Sequence, residues 1–126
     1  MAIFNPEGPK LKFIVRQTTG VVKGSFSVYV YNSANVLIET PIDGKKFTDE
    51  MKNRKTIQTP PADLVGAQIE LISSFHFVDD IVKQCSIEME VFQDEETLCL
   101  RKRTRTFESL EKMEHIVIQY RPGGTD

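Results

Sequence analysis

Tryptophan is absent from this chain, and cysteine and histidine occur only twice each in 126 residues. The missing tryptophan and the placement of the cysteines argue against an antibody-like domain, which packs a buried tryptophan on an inter-sheet disulfide. There is no surplus of one charge: 16 basic against 18 acidic residues leaves a formal net charge of −2. A whole-domain attraction to nucleic acid or to an anionic membrane is therefore not expected. No apolar run approaches the roughly 20 residues needed to cross a bilayer as a helix. Residues 1–6 lack the basic start and apolar core of an export signal, so the expectation is a cytoplasmic protein. Catalytic and cofactor signatures are also missing. There is no G-x-S-x-G elbow, and the spacing of Gly20 and Gly24 is too short for a phosphate loop. No zinc or calcium loop is present, lipocalin and cold-shock signatures are absent, and no cofactor is expected.

What the chain does contain is a succession of short strand-like segments. Leu11–Gln17 is rich in β-branched and aromatic types. Ser25–Tyr31 alternates, with Phe26, Val28 and Val30 on one face and Ser27, Tyr29 and Tyr31 on the other. Asn32–Asn35 is a turn cluster, and Val36–Pro41 returns as the second half of a hairpin. Residues 42–66 break the β pattern. There Thr48 is expected to cap a short helix, with Asp49 and Glu50 first and Lys52, Arg54 and Lys55 last, the order a helix dipole favours. Strand-like character resumes over Ala67–Phe77, then in a hairpin of 82–92 with 97–106 around Gln93–Glu96. One helical turn over Ser109–Glu114 precedes a last strand, His115–Tyr120.

This order predicts a mainly β protein: an antiparallel β-sandwich or small β-barrel of about seven or eight strands, with one or two short helices. Residues 1–10 read as an extended N-terminal arm, 11–121 as a single β domain and 122–126 as a flexible tail. In the 82–106 hairpin, apolar matching sets Val91 opposite Leu98 and Met89 opposite Leu100. That register turns Cys85 inward and Cys99 to the other face against Glu90, so they cannot bridge without distortion. Two reduced thiols in a reducing compartment follow.

Several residues are candidates for binding. Arg101, Arg103 and Arg105 share one face of a strand and could grip phosphates or an acidic partner. The competing structural reading places Glu88 opposite Arg101 and Ser86 opposite Arg103, as a salt-bridged sheet face. Lys102, Thr104 and Thr106 make the strand polar on both faces, which marks an edge. Tyr29 and Tyr31, with Leu37, form a candidate contact platform. Ile3 and Phe4 are large apolar residues outside the apparent core that must fold back or dock on a neighbouring subunit. His76, Asp79 and Asp80 are a weak metal candidate set against the simpler reading of a solvated turn. Cys85 falls on the buried face, where a thiol behaves as a small hydrophobe.

The leading expectation is a non-enzymatic binding or assembly module, self-associating or bound to a partner protein. A ligand- or nucleic-acid-binding barrel using the arginine strand ranks second. A metal-dependent or acid–base enzyme built on His76, Asp79 and Asp80 ranks third.

Overall fold

The computed structural model describes residues 2–17, 23–47, 51–76, 83–107 and 114–123. Eight strands appear in chain order: β1 Lys12–Gln17, β2 Lys23–Tyr31, β3 Leu37–Phe47, β4 Met51–Thr56, β5 Gln68–His76, β6 Lys83–Gln93, β7 Glu96–Phe107 and β8 Glu114–Tyr120. They form two four-stranded antiparallel sheets, ordered β4-β1-β6-β7 and β3-β2-β5-β8. The sandwich alternative therefore holds over the barrel. Edge β7 stands beside edge β8 on one open side, and β3 beside β4 on the other.

The core is the set of inward residues that the period of two selects. From the first sheet come Phe13, Val15, Cys85, Ile87, Met89 and Val91; from the second, Phe26, Val28, Val30, Ile69, Leu71, Phe75, Ile116 and Ile118. Leu11, Ile57 and Leu64 close one end, all fully buried. On the outer face of the first sheet Ile14 is also buried, at 3% exposure, although it lies outside the core cluster. Its neighbours in register are Arg54 and Glu90. Arg16 Nη1 pairs with Glu88 and Glu90 at 2.8 and 3.0 Å. Burial pulls the Arg16 guanidinium down, but its bonds to Glu90 and Glu88 outweigh this and hold it above its ordinary value.

Three expectations need correction. The first is the helix capped by Thr48. Residues 51–56 are strand β4, paired antiparallel with β1 from Lys12↔Thr56 to Gln17↔Met51, and β3 runs on to Phe47. The charge order that suits a helix dipole equally suits a charged edge strand, and the open edge of β1 decided the outcome. Thr48, Asp49 and Glu50 lie outside the described residues. The β pattern looked broken because β3 is bulged in three places against β2, with Gly44 at φ +59°. Each bulge adds a residue and breaks alternation. The described helix is a 3-10 turn at Pro61–Leu64, where proline suits the first helical position. The second correction is to one bound of the turn expected over Ser109–Glu114: Glu114 begins β8, and the rest of that turn lies outside the described residues.

The third is the β6–β7 register. Phe92 faces Thr97, but Val91 faces Cys99, Glu90 faces Leu100 and Met89 faces Arg101. Leu98 is the extra residue of a bulge, so the ladder slips by one beyond it. Leu98 and Cys99 are consecutive yet both buried, while Leu100 turns outward at 47% exposure. Cys99 therefore points into the core and not away from it. Neither cysteine is in a disulfide. Cys85 faces Arg105 and Cys99 faces Val91, six positions apart along the ladder, a span no disulfide reaches.

Candidate functional site

The slip at Leu98 relocates the arginine strip. Arg101, Arg103 and Arg105 face Met89, Ile87 and Cys85, which are core residues, so the three arginines stand on the inward side of edge strand β7. Directly opposed residues of an antiparallel pair share a face. The expected partners are consequently wrong: Glu88 faces Lys102, Ser86 faces Thr104, and Arg16 takes Glu88 and Glu90. Ser86 and Thr104 share a hydroxyl bond of 2.8 Å on the outer face. Inward charges at a sheet edge leave the interior by running along its open side, their alkyl stems covering the core and their heads in water.

That open side is a groove between β7 and β8 of about 710 Å³. Arg101, Lys102 and Arg103 line it from β7, Arg121 from just beyond β8, and Leu100, Val117, Ile118 and Gln119 complete the wall. None of these lining residues is acidic or aromatic. Arg101 Nε lies 3.2 Å from Cys99 Sγ, and Arg105 Nη1 donates to the His115 carbonyl oxygen at 2.9 Å, tying the two edges together at one end. At the other end Arg121 Nη2 donates to Gln68 Oε1 at 3.1 Å. The groove is thus a cationic channel in a chain whose net charge is −2. Sequence reasoning found the arginines but missed Leu100 and Arg121. Leu100 was assigned to the core by the unslipped register, and Arg121 joins only through the packing of the two sheets.

Other candidates sit elsewhere. Tyr29 and Tyr31 lie on the outer face of the second sheet, half-buried, with ring centroids 6.4 Å apart. They face Glu70 and Gln68 on β5, and Leu37 pairs with Tyr31. Burial, Glu70 and Tyr29 together raise the Tyr31 phenol above its ordinary pKa. Phe4 enters the core at 8% exposure, whereas Ile3 is 90% exposed. The arm lies against its own domain: Ala2 N donates to the Thr97 carbonyl, Asn5 N to Gln93 Oε1, and Gln93 Nε2 to the Asn5 and Pro9 carbonyls. His76 closes β5, while Asp79 and Asp80 lie outside the described residues. Among the described residues no group of three or more His, Cys, Asp or Glu side chains is arranged to hold a metal. No described helix is long and apolar enough to cross a membrane. Two smaller hollows compete with the groove. One of about 320 Å³ mixes Lys10, Lys12 and Arg54 with Asp94 and Glu95, so its charges offset. One of about 200 Å³ between β3 and β4 sets Lys45 and Lys55 beside Asp43.

No family model and no curated protein matches this chain. A solved structure, a domain of unknown function (DUF4425) from Bacteroides vulgatus, superposes on 91% of this chain and 97% of its own length, with a TM-score of 0.47 and 11% identity.

Proposed function

We propose that this chain is a non-enzymatic binding module and that it holds a partner protein in the groove between β7 and β8. The observation that carries this reading is the lining: Arg101, Lys102, Arg103 and Arg121 converge between two sheet edges with no acidic residue among them. Like charges brought together repel, and an anionic partner laid among them would relieve that repulsion. Nucleic acid ranks behind protein, because the described residues lining the groove include no aromatic side chain on which a base could stack. Two buried cysteines outside any disulfide suit the reducing, cytoplasmic setting this reading assumes.

The test is the double charge reversal Lys102→Glu with Arg103→Glu. Wild-type protein should bind poly-L-glutamate, more weakly as salt rises, and the double variant should not, while melting within a few degrees of wild type. Failure of the wild type to bind, or a variant destabilised by more than about 1 kcal/mol with no binding to lose, makes the cations structural.

Self-association is the second reading. Its support is a cluster of exposed apolar side chains: Val36, Leu37 and Ile38 on the β2–β3 hairpin, and Val65 on the turn that meets it. A Cβ built on Gly66 would stand 3.1 Å from Ser33, so the two turns touch. Apolar patches of this kind mark interfaces. Solution mass should rise with concentration in the wild type and not in Leu37→Lys with Val65→Lys; a strictly monomeric wild type sinks this reading.

A further inference from the structure

Resting on the reading of the β7–β8 groove as a protein-binding site, we infer that its occupant is an extended acidic peptide that adds to the sheet as a further strand on the edge of β7, beyond Thr97.

Strand addition needs an open edge of regular backbone. β7 is the last strand of its sheet, and its one bulge lies at Leu98, so the register is unbroken from Cys99↔Val91 to Phe107↔Lys83. The β3 edge differs: three bulges twist it away from pairing. The chain itself shows that an extended segment can rest on β7. Its N-terminal arm donates from Ala2 N to the Thr97 carbonyl at 3.1 Å and then runs to Gln93 at the hairpin end. The arm thus occupies the edge near Thr97, and a partner strand would take the stretch past the bulge.

Charge chooses the partner. Along that stretch Arg101 and Arg103 stand on the inward side of the edge and Lys102 on the outward side, with Arg121 across the groove. A strand laid there exposes alternate side chains to each side, so acidic residues in every second position meet the arginines. A second copy of β7 laid there with its arginines alongside would repel. Leu100, half-exposed beside them, offers an apolar contact to the intervening residue.

The probe is a capped synthetic peptide alternating Glu and Val, with two versions N-methylated on every second residue, one in each frame. Wild-type protein should bind the unmethylated peptide. One methylated frame should lose binding and the other keep it, because only one set of amides faces β7 in a ladder. Lys102→Glu with Arg103→Glu should weaken binding by about tenfold or more. If both methylated frames bind like the parent, strand addition is wrong while the groove reading stands. If no peptide binds, both fall. If an oligothymidylate of equal charge binds as tightly as the peptide, the groove is a nucleic-acid site and the acidic-peptide assignment is overturned.

Discussion

Phe4→Ala tests whether the N-terminal arm belongs to the fold of its own chain. Phe4 is 8% exposed within the core cluster, and its ring approaches the position of a Cβ on Gly123 to 3.3 Å. Truncating a buried phenylalanine costs about 3–5 kcal/mol in a rigid core. The arm is anchored by hydrogen bonds between Ala2 and the Thr97 backbone and between Asn5 and Pro9 and the Gln93 side chain, so it can settle partly into the space left, and the low end, about 3 kcal/mol, is expected. Unfolding entropy of about 2.1 cal/mol/K per residue turns that into a fall in Tm of about 11 °C for a chain this long. Ile3→Ala, one residue away at 90% exposure, should change stability by less than about 0.5 kcal/mol. Urea titration of both variants at two protein concentrations is the assay. Equal, small effects at both positions would refute the packing. A loss that grows as protein concentration rises would show that the arm docks on a neighbouring subunit instead.

Three further outcomes follow from single sites. Ser73 is fully buried, and its hydroxyl has no hydrogen-bond partner among the described residues, so Ser73→Ala should leave stability unchanged or raise it by about 1 kcal/mol, read by urea titration. Asp94 and Glu95 form the β6–β7 turn at φ 52° and 64°, so Glu95→Gly should stabilise by about 0.5 kcal/mol, relief of left-handed strain exceeding the added chain entropy, while Glu95→Val should destabilise. The raised pKa of Tyr31 makes stability fall with pH in the alkaline range. Below about pH 10 both states keep the proton; above it the unfolded chain releases its proton first, which favours unfolding, so Tyr31→Phe should flatten that decline in melts across alkaline pH.

The strands whose faces alternate cleanly were legible without coordinates. Ser25–Tyr31 separates Phe26, Val28 and Val30 from Tyr29 and Tyr31, and the structure buries the first three and leaves the tyrosines outward. Asn32–Asn35 read as a turn, and the Asn32 carboxamide oxygen does accept from the Ala34 and Val36 amides, with Asn35 at φ 62°. Such features are local: side-chain period and turn chemistry act over a few residues. β3 was legible as far as Pro41, but its continuation to Phe47 and all of β4 were not, since bulges hide the period of two in one and an edge position removes the apolar face from the other.

The candidate site divides in the same way. The sequence by itself determined that a basic strip lies on a β-strand and that the chain forms a mainly antiparallel β fold. Only the tertiary structure decided what the strip faces. One additional residue at Leu98 moves Arg101, Arg103 and Arg105 from opposite Glu88 and Ser86 to the inward side of an edge, and the packing of β8 beside β7 then brings Arg121 to the same groove. A bulge is set by how two strands, the arm over Thr97 and the core beneath Leu98 fit together. That fit sums many long-range contacts, each too weak to leave a mark in a local pattern.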